Sequence, residues 1–268
     1  MRPTQSRITD ARELCAGVIS LWLEAPEIAR RVRAGQFLNV RVSPGPDPLL
    51  MRPISVCDVE RNQVRLVFRV VGRGTAMLAR VRVGDELDVL GPLGRSAPEL
   101  HSKDVLLCGG GIGSAPLLFL ARKMSKANRL QVVLGARAKA ELLLVREFRA
   151  LGLPVSLATD DGSAGFHGTV TELAQEQVKV RDAKGKGQDG GRRLAASGER
   201  LTVFACGPRP MLADLVRRLD PIPVWGYVEE RMGCGTGICY CCALPKKGGG
   251  HVRFCEEGPV VRLNEVVL

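Results

Sequence analysis

From Ile8 to about Leu90, apolar and polar residues alternate in short runs such as Gly17-Val-Ile-Ser-Leu-Trp-Leu, Gln36-Phe-Leu-Asn-Val-Arg-Val and Gln63-Val-Arg-Leu-Val-Phe-Arg-Val-Val. A period of two marks strands with one face buried, and several such strands separated by turn residues predict a small antiparallel barrel. From Asp104 the pattern changes to a continuous apolar run, Val105-Leu-Leu-Cys, then a glycine turn, Gly109-Gly-Gly111-Ile-Gly113, then Ser-Ala-Pro116-Leu-Leu-Phe-Leu-Ala. That order reads as buried strand, tight turn and helix. Further strands at Leu130 to Gly135, Val155 to Thr159 and Leu201 to Cys206, with helical patterns between them, predict a parallel α/β sheet. The expected division is a barrel over residues 1–98, an α/β domain over 99–222 and a small loop domain over 223–268.

Length allows this modularity, since 268 residues can bury two cores and carry an appendage. No apolar run approaches the roughly 18 residues of a membrane span, and the start, Met1-Arg-Pro-Thr-Gln-Ser-Arg, has no apolar signal-peptide core. A cytoplasmic protein is expected, in which nine cysteines mean metal or redox chemistry rather than disulfides. The formal charge of +11 raises the question of nucleic acid. Residues 179–200 hold seven basic and three acidic side chains, so +4 of the excess sits in one glycine-rich, apolar-poor segment. That segment is expected to be a solvated loop inserted in the α/β domain. With no binding motif and only 4% aromatic residues, a nucleic-acid role is excluded.

The chemistry is densest near the C-terminus. Cys234, Cys239 and Cys242 stand in the spacing Cys-x4-Cys-x2-Cys, and Cys255 follows thirteen residues later. This is the plant-type [2Fe-2S] ligand pattern. A structural zinc site more often pairs Cys-x2-Cys units or uses a His, and His251 lies outside the pattern. Gly235 and Gly237 suit a loop that must bring backbone N–H groups close to sulfur. Cys241 is an extra thiol between two ligands.

Four other clusters carry candidate chemistry. Arg52-Pro53-Ile54-Ser55 sets a guanidinium and a hydroxyl beside a rigid Pro, fit to grip a diphosphate or an isoalloxazine ring. Gly72-Arg73-Gly74-Thr75 is expected to follow a strand and precede a helix, offering N–H groups to phosphate. The turn with Gly111 and Gly113 resembles a dinucleotide fingerprint but continues to Pro116 where the fingerprint has Gly, and no acid closes the second strand, which ends Leu134-Gly135-Ala136-Arg137. Cys206-Gly207-Pro208 ends a strand on the edge where such sheets bind ligands, which makes Cys206 a candidate neighbour of a nicotinamide.

In this order the motifs resemble the ferredoxin-NADP reductase superfamily, and with the C-terminal cysteines they resemble its branch of electron-transfer subunits of NAD-linked dihydroorotate dehydrogenases. The resemblance spans almost the whole chain. It implies FAD on Arg52, Pro53, Ile54, Ser55, on the strand end Arg69-Val70-Val71 and on Gly74 and Thr75, and a [2Fe-2S] cluster on Cys234, Cys239, Cys242 and Cys255. It also implies NAD as electron acceptor and an FMN-containing catalytic subunit as partner, two copies of each forming a heterotetramer in pyrimidine biosynthesis. A sister group, subunits of NADH-dependent ferredoxin:NADP reductases, typically has Asp as the first cluster ligand, where this chain has Cys234. A stand-alone oxygenase reductase is a third reading, disfavoured because its ferredoxin module is longer than residues 221–268. The chain departs from the family in a longer connection at 179–200 and in Cys241, where a small residue such as Gly is more usual.

Overall fold

The structure, a computed structural model, describes residues 2–184 and 201–268. Its first part is a closed six-stranded barrel in the order β1-β2-β5-β4-β3-β6. The strands are β1 (Thr4–Cys15), β2 (Val18–Glu24), β3 (Phe37–Val40), β4 (Arg52–Glu60), β5 (Gln63–Arg69) and β6 (Glu86–Leu93), with short helices α1 (Pro26–Arg31) and α2 (Arg73–Leu78) between them. All pairings in the barrel are antiparallel. Alternation explains its filling, since inward residues such as Leu21, Leu23, Leu38, Val40, Val56 and Leu66 form one buried core.

The second part is a seven-stranded sheet in the order β10-β9-β8-β7-β11-β12-β15. Its members are β7 (Asp104–Gly110), β8 (Arg129–Ala136), β9 (Val155–Thr159), β10 (Phe166–His167), β11 (Leu201–Cys206), β12 (Val224–Tyr227) and β15 (Val260–Arg262), all parallel except β15, which runs antiparallel on β12. Helices α3 (Ser114–Met124), α4 (Val145–Ala150), α5 (Val170–Lys184) and α6 (Arg209–Leu219) connect the strands. Every residue of α3 from Ser114 to Ala121 is buried, because the helix lies between the sheet and the barrel. A pair of hydrogen bonds ties that junction, with the Arg122 guanidinium donating to both oxygens of Asp58 at 2.8 and 2.6 Å.

The cysteine segment is built onto this frame and adds a two-stranded sheet, β13 (Ala243–Pro245) and β14 (His251–Arg253). Its flanks are β12 and β15 of the large sheet. Two details differ from the sequence expectations. Helix α2 begins at Arg73, so Gly72-Arg73-Gly74-Thr75 is its first turn rather than a preceding loop. The Thr75 hydroxyl closes that turn by accepting from the N–H groups of Val71 and Gly72. Of the segment expected as a loop at 179–200, the residues up to Lys184 continue α5, since no glycine interrupts the helix formers before residue 185. The rest of that segment lies outside the described residues.

Candidate functional site

In the sheet, the chain moves outward from β7 through β8 and β9 and then returns to place β11 on the other side of β7. The crevice at the carboxyl ends of β7 and β11 is therefore the switch point at which open α/β sheets bind ligands. A cavity of about 780 Å³ opens there, lined by Gly110, Gly111 and Ile112 at the end of β7, Ala136 and Arg137 at the end of β8, and Gly207, Pro208 and Met211 after β11. Gly111 takes φ +54, which a glycine adopts without strain. Gly113 does not line the cavity. A Cβ on it would lie 2.1 Å from the Cys206 carbonyl oxygen, so its role is to let the glycine turn pack on the end of β11. Cys206 is 1% exposed and does not line this cavity; burial pushes its thiol pKa well up, and the nearby Glu229 adds to this. Its Gly207-Pro208 turn reaches the cavity while the sulfur stays behind it as a neutral thiol.

A second cavity, about 340 Å³, lies between the barrel and α3. Arg52, Pro53, Ile54, Ser55, Arg69, Val71 and Thr75 line it, together with Phe37, Ala115 and Pro116. Two residues expected here do not face it. Val70 packs against the barrel core. Gly74 instead gives Arg52 its room, since a Cβ there would lie 2.3 Å from Arg52 Nε. The Arg52 guanidinium also donates to the Leu50 carbonyl, which holds it over the cavity. Arg69, Ile112 and Glu229 line both cavities, so the two spaces adjoin. Glu229 is open to this junction, yet the surrounding protein raises its carboxyl pKa.

On the far wall of the second cavity, beyond β3, lies the cysteine loop. Its sulfurs fall into two pairs. Cys234 and Cys239 each donate a backbone N–H to the other's Sγ, at 3.4 and 3.5 Å. Cys255 donates its N–H to Cys242 Sγ at 3.4 Å. Further donors aim inward, Thr236 N to Cys234 Sγ at 3.3 Å and Gly237 N to Cys255 Sγ at 3.1 Å. Burial opposes ionisation of Cys234, but the N–H groups of Thr236 and Cys239 outweigh it and bring the thiol down to about 6. Cys255 is pushed up to about 12 by burial and by neighbouring Cys242. Two pairs fit a two-iron cluster, in which each iron takes two thiolates, and the inward N–H groups are the donors that such sulfurs require. Gly235 and Gly237 hold φ +72 and +86, which aims these amides inward. Cys241 is exposed and lies outside both pairs.

The sequence comparisons decide what this arrangement is. "Dihydroorotate dehydrogenase B (NAD(+)), electron transfer subunit" of Geobacillus kaustophilus strain HTA426 is 38% identical over 269 residues, covering 97% of each chain. This chain belongs to that family. The subunit of the same name from Shouchella clausii strain KSM-K16 is 37% identical over the full length of both chains. Two family models match parts of the chain, "Oxidoreductase FAD-binding domain" over residues 5–97 and "Iron-sulfur cluster binding domain of dihydroorotate dehydrogenase B" over residues 229–267. The family therefore brings an FAD-binding barrel and an iron-sulfur module, and the iron-sulfur match begins at Glu229, which lines both cavities. Among solved structures, one titled for an NADH-dependent reduced ferredoxin-NADP oxidoreductase superposes with a TM-score of 0.81 at 29% identity, over 98% of this chain and 89% of that one. A ferredoxin NADP+ reductase from Neisseria gonorrhoeae, with a TM-score of 0.64 at 19% identity over 86% of this chain and 94% of that one, shows the shared fold.

Several residues that shape the site escaped the sequence reading. Phe37, Met211 and Glu229 carry no motif of their own, and they meet the site only because strands distant in sequence are brought together.

Proposed function

We propose that this chain carries electrons between a partner's dihydroorotate-oxidising FMN and NAD+, as the electron-transfer subunit of an NAD-linked dihydroorotate dehydrogenase in pyrimidine biosynthesis. The observation that carries this reading is the adjacency of three spaces. The switch-point cavity meets the barrel cavity at Arg69, Ile112 and Glu229, and the barrel cavity shares Phe37 with the wall behind which the paired cysteines lie. FAD, when bound, supplies the exchange between a nicotinamide that passes two electrons together and a cluster that carries them singly.

The chain's own residues hold and orient. Arg52 offers a charge-assisted contact to the diphosphate, Pro53 and Ile54 give the ring a rigid apolar edge, and Ser55, Arg69 and Val71 flank it, with Val70 packed behind them against the core. Thr75 closes the turn beside it and Gly74 makes room for Arg52. Gly111 allows NAD+ close to the sheet, Gly113 lets the glycine turn pack on the end of β11, and Cys206 backs the turn against which its nicotinamide rests. Cys234, Cys239, Cys242 and Cys255 hold the cluster, whose potential the inward N–H groups tune. A cytoplasmic setting, where thiols stay reduced, suits nine cysteines with no disulfide among the described residues. Among the described residues no helix is long and apolar enough to cross a membrane.

A second reading, a subunit of an NADH-dependent ferredoxin:NADP oxidoreductase, is favoured by the structural likeness at a TM-score of 0.81. Cys234 at the first ligand position and the higher identity to the dihydroorotate family weigh against it. The purified chain tests the core of the proposal. It should show flavin and iron-sulfur absorbance, and anaerobic NADH should bleach both. A colourless protein, or one that oxidises dihydroorotate alone, would overturn it.

A further inference from the structure

Strand β3 runs between the barrel core and the cysteine loop, and its residues alternate between those two sides. Leu38 and Val40 point into the barrel core, whereas Phe37 packs in the same buried group as Cys242, Phe254 and Cys255. By the period of a strand Asn39 shares the outward face with Phe37. Across the ladder, Phe37 pairs with Ser55 and Asn39 with Pro53. So Asn39 sits between the flavin motif on β4 and the cluster loop.

Asn39 is 2% exposed, and its Nδ2 donates to the carbonyl of Cys234 at 3.3 Å. Its Oδ1 is buried with no hydrogen-bond partner among the described residues. An amide that gives up hydration for a single bond is costly at such a place, which marks the position as one held for more than packing. The loop is shaped to meet it. A Cβ on Gly235 would lie 2.2 Å from Asn39 Nδ2, and Gly235 takes φ +72. Glycine is therefore needed there both for its conformation and for its approach to this side chain.

We propose that Asn39 is a positioning residue of the electron path: from the strand beside the flavin motif it fixes the first-ligand end of the cluster loop, and so keeps the N–H groups of Thr236 and Cys239 on Cys234 Sγ. The inference rests on the function proposed above. With the Cys234 carbonyl released, those two donors at 3.3 and 3.5 Å lose alignment. N–H donors stabilise the extra negative charge of a reduced cluster, so their loosening lowers its midpoint potential and slows its reduction.

The test compares the full-length holoprotein with Asn39→Leu, which keeps the branched shape and removes the amide. Redox titration followed by EPR reads the cluster potential, and anaerobic stopped-flow with NADH reads flavin and cluster bleaching in one trace. Asn39→Leu should keep its FAD and iron content and reduce its flavin at the wild-type rate. Its cluster should titrate at a lower potential and bleach up to about tenfold more slowly, the scale of one lost neutral hydrogen bond. An unchanged potential and an unchanged cluster rate in Asn39→Leu, with both phases present in the wild type, would overturn the role of Asn39 alone. Absence of either phase in the wild type would instead overturn the function on which it rests. Should Asn39→Leu lose iron on purification, Asn39→Ser, whose hydroxyl cannot reach the Cys234 carbonyl from that backbone position, is read in the same way.

Discussion

Four of the nine thiols are set apart from the others by what the backbone does around them. Cys15, Cys57, Cys108 and Cys206 are buried or half-buried strand residues, and burial raises the thiol pKa of each. Cys234, Cys239, Cys242 and Cys255 instead exchange N–H···S contacts in two pairs. Replacing Cys255 by Ala should remove the cluster, whereas Cys241→Ala, outside both pairs, should keep it; iron and sulfide analysis decides, and full content in Cys255→Ala would refute the ligand set. At the barrel cavity, Arg52→Ala should lower FAD retention, since a charge-assisted hydrogen bond contributes about 1.5 to 3 kcal/mol. Flavin content after gel filtration measures it, and no loss would mean that Arg52 does not hold the cofactor. The ligands were legible because local spacing alone encodes them. Asn39 was not, because its partner Cys234 lies 195 residues away, and an isolated Asn in a strand pattern carries no chemical signal. Val70 shows the opposite limit. It stands between Arg69 and Val71, which line the cavity, but just past the end of β5 it packs against the buried core instead.

Among the elements, α3 ties the two halves together, and its buried surface was readable from Leu117 to Ala121 as an unbroken apolar run. What could not be read was its polar clasp to the barrel. Asp58 is 2% exposed and takes both hydrogen bonds from Arg122 on the facing helix. Removing the cation leaves a buried carboxylate without its partner, so Arg122→Ala should destabilise the protein by about 3 to 5 kcal/mol. Arg122 is itself part exposed at 38% and can be replaced by water, which places the expectation at the lower end. Denaturant unfolding of the holoprotein checks this, and a loss below about 1 kcal/mol would show that the clasp is an ordinary surface pair. Strand β15 was equally hidden. Three residues, Val260–Arg262, give no periodicity to detect, yet their pairing with β12 fixes the cysteine segment to the sheet. The βα order of the sheet, by contrast, was plain because parallel strands buried on both faces read as continuous apolar runs.

At the scale of the molecule, the chain has two adjoining cavities, proposed above for a flavin and a nucleotide, and its motifs assign no site to dihydroorotate. Alone it should therefore oxidise NADH with ferricyanide and leave dihydroorotate untouched. Dihydroorotate:NAD+ activity should appear only with an FMN-bearing partner, and native mass measurement then tests for two copies of each chain. The docking face should be the cysteine loop, because a partner's flavin must approach the cluster. Ile238 and Tyr240 project there at 80% and 61% exposure, and Arg253 lies over the Tyr240 ring at 5.0 Å, presenting it as a rigid aromatic anchor. Large exposed apolar side chains of this kind mark association sites, and truncating one at an interface centre costs about 2 kcal/mol or more. Ile238→Glu should accordingly weaken the complex roughly thirtyfold, the conversion of 2 kcal/mol at 1.4 kcal/mol per decade. Iron content and NADH:ferricyanide activity of the free chain should stay unchanged. If Ile238→Glu assembles as tightly as the wild type with full activity, the partner docks elsewhere, and if the reconstituted complex reduces NADP+ from ferredoxin instead, the sister function is the correct one.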